Sequence, residues 1–185
     1  DQRRQPGTLK WIGIDLVKNT RNHPVYPNDG YRLALSTKWA PPGINSTFQY
    51  LKTTLNASWY TPLIGTDSLV LCLHGQAGYA ENTGSGSIPY RELFNLGGQH
   101  TLRGFTWGQV APSWDYQNPL GGKKSLYFGA ELIFPVLNNY NMKMHLFYEA
   151  GSAWNTPREG IVGQYASHIR NDNFNLRHTV GIGLN

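Results

Sequence analysis

A single cysteine, Cys72, stands in 185 residues, so no internal disulfide can form and a disulfide scaffold is excluded. No apolar run approaches the roughly 18 residues that a membrane-crossing helix requires, so a transmembrane helix is not expected. No segment carries a convincing period of 3.6 residues, which argues against helices in general. Charge is scarce, at 15%, and the longest basic runs are Arg3-Arg4 and Lys123-Lys124. The net charge of +5 is therefore a dispersed, solvated surface, and no nucleic-acid partner is expected. The opening Asp1-Gln2-Arg3-Arg4 has no apolar stretch of the kind a secretory leader carries. The expectation is a mature or internal piece, or a protein that is not exported.

Chemistry-bearing motifs are also missing. Gly121-Gly122-Lys123-Lys124-Ser125 lacks the spacing of a phosphate loop and leads into a strand rather than a helix. Gly84-Ser85-Gly86-Ser87 is not a nucleophile elbow. The six histidines, at 23, 74, 100, 145, 168 and 178, show no metal-ligand spacing. No cofactor and no metal is expected, and the chain does not read as an enzyme. Asn45-Ser46-Thr47 and Asn56-Ala57-Ser58 match a glycosylation triplet, but triplets this short arise by chance.

What is abundant is glycine (21 residues) and aromatic side chains (13%, with 6 Trp and 11 Tyr), a composition that leans to an all-β chain. Seven segments alternate apolar and polar with period two, the mark of strands with unlike faces. They fall at about 9–18, 30–40, 48–60, 68–79, 124–134, 142–154 and 176–185. One face gathers Ile12, Ile14, Leu16, Tyr31, Leu33, Leu35, Leu55, Trp59, Leu71, Leu73, Phe128, Leu132, Leu146, Val180 and Ile182. The other gathers Lys52, Asn56, His74, Glu131, Lys143, His145 and Glu149.

Three connections read as tight turns, at 27–30, 62–67 and 135–141. The other three are 41–47, the long 80–123 loop and 155–175. Tight turns on one side, two long connections on the other, and aromatics near strand ends (Tyr31, Trp39, Trp59, Tyr79, Trp154) match a transmembrane β-barrel. A soluble barrel or sandwich has the same period, so the two differ only in which face points in. A face carrying Lys52, Glu131, Lys143 and Glu149 makes a poor dry core and a reasonable wet lumen. Seven strands do not close a bacterial barrel, which uses an even number from eight upward. A piece of a larger barrel is expected.

The long loop is unusual in its own composition. Over 91–105 it carries Leu93, Phe94, Leu96, Leu102 and Phe105, together with Gly97, Gly98 and Gly104. Its apolar content argues against disorder, and its glycines allow it to fold back tightly, so it is expected to pack against something. Glu131 and Glu149 share the polar face of neighbouring strands. As a catalytic carboxylate pair they need a cleft and divergent acidities, which nothing else supports. As structural anions they need a cation, and Arg103 offers a planar fork able to hold both.

These stretches resemble the landmarks of the BamA-type outer-membrane assembly factors of the Omp85 superfamily. Phe94-Asn95-Leu96-Gly97-Gly98 followed by Leu102-Arg103-Gly104-Phe105 is similar to the family's loop-six signature. Tyr26-Pro27-Asn28-Asp29-Gly30-Tyr31-Arg32 is similar to its turn, and Gly121-Gly122 with Glu131-Leu132-Ile133-Phe134-Pro135 to one of its strands. Phe147-Tyr148-Glu149-Ala150-Gly151-Ser152-Ala153-Trp154 and Thr179-Val180-Gly181-Ile182-Gly183-Leu184 resemble two more. Five landmarks in order span nearly the whole chain.

The resemblance implies a sixteen-strand barrel of which 1–185 would be a partial domain, roughly strands eight to fourteen. The POTRA domains and the last two strands would lie outside it. It implies that loop 80–123 folds into the lumen, shaped by Gly97 and Gly98. There 102–105 would be locked, with Arg103 at Glu131 and Glu149. One departure is Glu149, where the family usually has Asp. It further implies a non-enzymatic insertase of the bacterial outer membrane. Its partners would be outer-membrane lipid, unfolded β-barrel clients and accessory lipoproteins. A two-partner secretion pore exporting a soluble client is the alternative, and a soluble β-rich binding protein a more distant one.

Overall fold

A computed structural model of the chain describes residues 7–65, 68–84, 88–114, 118–137, 142–158 and 168–184. Seven long strands form one antiparallel sheet. They are β1 (Ile12–Asn19), β2 (Gly30–Ala40), β3 (Tyr50–Ile64), β4 (Leu69–Asn82), β7 (Lys124–Leu137), β8 (Met142–Trp154) and β10 (Arg177–Leu184). The sheet order is β1-β2-β3-β4-β7-β8-β10, every strand pairing with its neighbour in sequence among the long ones. Three two-residue strands, β5 (Ser113–Trp114), β6 (Asn118–Pro119) and β9 (Ile169–Arg170), form a second small sheet in order β6-β5-β9. The seven alternating segments are thus the seven strands of the main sheet. The small sheet is unannounced in sequence, since two residues hold no period.

The strand ends correct two of the expected turns. β3 runs on through Pro62 to Ile64, and β7 through Pro135 to Leu137. In both places the register shifts at the proline, between Pro62 and Ile64 and between Pro135 and Leu137. Proline has no N–H for the ladder, so an irregularity at the strand end accommodates it without stopping the strand. The β1–β2 connection, 20–29, is in turn longer than a tight turn at 27–30. Asn22 holds it, its side-chain oxygen accepting from the N–H groups of Asn28 at 3.2 Å and Asp29 at 3.3 Å. Of the predicted turn at 135–141, residues 138–141 lie outside the described residues, as do 159–167 of the last connection and 85–87 of the glycine-serine run.

Alternation divides the sheet by solvent. Leu33, Leu35, Trp39, Leu55, Trp59, Leu73, Phe128, Leu146, Tyr148, Val180, Ile182 and Leu184 all stand exposed on one face, Val180 at 80%. A continuous apolar surface of this extent is not tolerated in water and calls for hydrocarbon. From β2 to β8 the opposite face is partly covered by the chain's own loop, described over 83–84, 88–114 and 118–123, while β1 is exposed on both faces. Ile88, Phe94, Leu96, Leu102, Val110 and Ala111 of that loop join Ala40, Tyr50, Ala80, Tyr127 and Ala153 of the wall in one buried cluster. The core therefore lies between wall and loop. The described residues include no helix long and apolar enough to cross a membrane, and the elements with an apolar outer face are strands.

Candidate functional site

The loop leaves and returns between strands that pair directly, β4 and β7, whose register runs from Val70 opposite Ile133 to Tyr79 opposite Lys124. Its neck is closed by an ion pair from Lys123 Nζ to Glu81 Oε1 at 3.0 Å and by Ala80 N–H donating to the Lys123 carbonyl at 2.7 Å. Phe94 and Gly122 then exchange backbone hydrogen bonds, each at 2.9 Å. Beyond them the chain doubles back at glycines with left-handed backbones: Gly97 (φ +119°), Gly98 (φ +94°) and Gly104 (φ +89°). A Cβ at 97 would also strike the Thr106 carbonyl oxygen. Gly98 N–H donates to the Phe105 carbonyl at 2.8 Å, and Gly97 N–H to Thr101 Oγ1 at 2.9 Å. These bonds turn 102–105 into a narrow tip.

That tip is driven into the wall. Leu102 is fully buried, and Phe105 packs against the same cluster. Leu102 reaches the wall at Gly151, where a Cβ would come within 3.0 Å of Leu102 Cδ1, so glycine is what lets loop and strand approach. Burying Leu102 contributes about 2 kcal/mol, and it delivers the next residue to the carboxylates.

Arg103 meets Glu149 three times. Its backbone N–H donates to Oε2 at 2.8 Å, its Nε to Oε1 at 2.7 Å, and its Nη2 lies 2.6 Å from Oε1. Nη2 also donates to Glu131 Oε1. The guanidinium lies over the Phe147 ring, 3.6 Å from its centroid. Register explains the convergence: on β7 and β8, Glu131 is opposite Phe147 and Glu149 opposite Gly129. The side chain of Glu149 is 2% exposed, that of Glu131 14% and that of Arg103 27%. The extra methylene of Glu149 does not break the pairing; it lets one carboxylate take both the backbone and the side chain of Arg103.

Other wall groups complete the carboxylates' hydrogen bonding. Tyr127 Oη donates to Glu149 Oε1 at 3.2 Å and lies 2.6 Å from His74 Nε2. His145 Nδ1 lies 3.2 Å from Glu131 Oε2. Apart from its histidines the cluster holds one cation and two anions. Burial opposes the Arg103 charge, but the hydrogen bond to Glu149 and the charges of both glutamates outweigh it, moving the Arg103 pKa up. His74, Glu131 and Glu149 offer ligand atoms within 4.8 Å of one another, a grouping able to hold a metal ion. It is assembled across β4, β7 and β8, which is why spacing along the chain does not reveal it. Here the cation those carboxylates meet is Arg103.

The structure thus brings together Leu102, Arg103, Glu131 and Glu149, with Gly97, Gly98, Gly104 and Phe105 shaping the tip. Sequence reading puts His74 and His145 on the polar face without joining them to the site, and does not single out Tyr127 or Phe147. Tyr127 and Phe147 share their strand's parity with Glu131 and Glu149, a signal that was available. It also passed over Glu92 at the loop's other end. The Glu92 carboxylate lies 3.1 Å from Lys52 Nζ and 3.6 Å from Lys38 Nζ. Parity gives no sign of a partner carried on a loop.

A sheet that is apolar outside and ionic inside, with one of its own loops packed on the ionic face, is the wall of a transmembrane β-barrel. The chain belongs to the Omp85 superfamily, matching the Omp85 superfamily domain over residues 3–185. It is 31% identical over 156 residues to the outer membrane protein assembly factor BamA of Neisseria meningitidis serogroup B, a match covering 80% of this chain and 18% of that protein. It is 25% identical to a SAM50-like protein of Schizosaccharomyces pombe, over 84% of this chain and 34% of the relative. With a SAM50-like protein of Drosophila melanogaster the identity is 28%, over 80% and 34%. The fold is similar to the crystal structure of BamA from Haemophilus ducreyi lacking POTRA domains 1–3, with a TM-score of 0.79 and 25% identity over 94% of this chain and 35% of that one. The chain therefore spans about a third or less of the length of these relatives. Family and fold place it in the bacterial outer membrane.

Proposed function

We propose that this chain is a partial barrel, 1–185, of an outer-membrane insertase that folds β-barrel proteins into the membrane, with loop 83–123 held in the lumen as a plug by Arg103. The observation that carries this reading is the grip of Arg103 on Glu131 and Glu149 at the end of a loop whose apolar side chains share a core with the wall. The names of the relatives, an assembly factor and two SAM50-like proteins, support the assignment.

The work in this reading is mechanical. A plug wedged on the inner wall keeps β4, β7 and β8 in one shape and fills the space a soluble cargo would need. Lipid meets the apolar outer face, and unfolded β-barrel clients are the substrate. POTRA domains, the remaining strands and accessory lipoproteins belong to the same reading. It invokes no covalent step and no cofactor, and the wall carboxylates Glu131 and Glu149 serve as anchors for Arg103.

Replacement of the full-length protein in cells by its Arg103→Glu variant tests it. The amount of folded outer-membrane barrel proteins is measured by their heat-modifiable migration. A clear fall at normal levels of the variant itself is expected. Unchanged assembly would contradict the reading, and loss of a secreted soluble client with assembly intact would assign the chain to a secretion pore instead.

A further inference from the structure

Glu92 stands between the buried Ile88 and the buried Phe94 in the first part of the loop, and Arg103 stands at the loop's tip. The short 3-10 turn Tyr90–Glu92, closed by Glu92 N–H donating to the Pro89 carbonyl at 2.8 Å, directs the Glu92 side chain at the wall. Its carboxylate lies between Lys52 of β3, at 3.1 Å, and Lys38 of β2, at 3.6 Å, and its side chain is only 15% exposed. Lys52 is steadied from a second side, with its Nζ 4.8 Å from the centroid of the Phe94 ring.

This is the Arg103 arrangement with every sign reversed. At the tip a loop cation sits between two wall anions; at the start a loop anion sits between two wall cations. The two contacts fall on opposite sides of β4, the strand from which the loop departs: one on β2 and β3, the other on β7 and β8. A loop docked the other way round would bring Arg103 to lysines and Glu92 to glutamates, which like charges oppose.

We infer that Glu92 is a second clasp of the loop, and the pivot about which the loop turns when Arg103 lets go. The inference rests on reading the loop as a lumenal plug and adds a positioning residue to it. The two clasps differ in compliance. The planar fork of Arg103 spans carboxylates on two strands and reaches Glu131 through Nη2 alone, so its directional bonds tolerate little displacement of the tip. The lysines are point charges on flexible stems and follow Glu92 through small movements with little loss of attraction. The fork opens first, and the loop swings about Glu92 and stays tethered.

Trypsin reports on both clasps in the full-length protein in outer-membrane vesicles: although the Arg91 side chain is exposed, cutting after Arg91 or Arg103 requires the backbone around it to come away from the wall and extend. Rates are taken relative to the unfolded chain of the same variant. Glu92→Gln should speed cutting after Arg91 about fivefold and leave Arg103 protected. Glu131→Gln with Glu149→Gln should speed cutting after Arg103 about tenfold while Arg91 stays protected. Glu92→Lys should lose protection at Arg91, and adding Lys38→Glu and Lys52→Glu should restore it. An unchanged rate after Arg91 in Glu92→Gln overturns the clasp, and so does a charge swap that restores nothing. Release of both sites together in the double glutamine variant overturns the pivot. If that variant releases neither site, the Arg103 lock fails, and the Glu92 arm still judges the second clasp by itself.

Discussion

The two faces of this one sheet are built from alternate residues of the same strands, and they obey different rules. Leu55 and Asn56, Leu132 and Glu131, and Leu146 and His145 are neighbours in sequence that meet opposite surroundings. The outer face is held by area: its apolar side chains meet a fluid hydrocarbon, so polarity matters there and shape hardly does. The inner face is held by pairs: Arg103 with its two glutamates, Glu92 with its two lysines, Leu102 against the bare backbone of Gly151. There the partner and the shape both matter. One strand thus carries a tolerant register and an exacting one, a residue apart.

Substitutions that set the faces against each other sharpen this contrast. The largest effect is expected from Leu146→Arg, a charge placed on the lipid face, at about 3 kcal/mol of folding stability for the full-length protein in lipid vesicles. Denaturant titration in vesicles measures it, and a neutral outcome would place Leu146 in water. Arg103→Glu follows at roughly 2–3 kcal/mol, since it gathers three anions where only part of the site is sealed from solvent. In Gly151→Ala the added methyl meets Leu102 and the Leu126 carbonyl oxygen, costing about 2 kcal/mol and loosening the loop. Protease sensitivity at 93–105 follows that loosening.

Smaller effects complete the series. Tyr127→Phe removes the hydroxyl that donates to Glu149 beside His74, for about 1 kcal/mol. Leu146→Ile changes shape alone on the lipid face, and about 0.5 kcal/mol or less is expected by the same titration. A cost for Leu146→Ile above that for Tyr127→Phe would mean that the outer face is packed against protein.

How much of this was legible follows from the same division. Seven strands and their two faces could be read because lipid and lumen impose alternation on every one of them. The loop's burial could be read because Leu93, Phe94, Leu96 and Leu102 have no place in a solvated loop. The pairing of Arg103 with Glu131 and Glu149 was an expectation from parity and resemblance, and the geometry puts those atoms in contact.

What stayed hidden depended on register or on the path of a loop. His74 reaches the site because it lies opposite Gly129, where a Cβ would meet its ring nitrogen at 2.6 Å. No spacing within the chain encodes that. Pro62 and Pro135 looked like strand ends because proline usually is one, whereas shifts of register carry the strands past them. Glu92 finds Lys38 and Lys52 only because the loop folds back over β3 and β2 on leaving β4.

The central claim is that Arg103 holds the loop inside the lumen, and the accessibility of the loop's own core tests it most directly. Ala111 is 1% exposed and belongs to the cluster shared by loop and wall. Cysteine at this position adds little volume, Cys72→Ala removes the thiol of this chain, and any cysteine elsewhere in the full-length protein is replaced in the same background. In the full-length protein in outer-membrane vesicles, Ala111→Cys is expected to resist a water-soluble maleimide and to react rapidly once Arg103→Glu is added. Rapid labelling with Arg103 intact, or equal protection with and without it, would contradict the account.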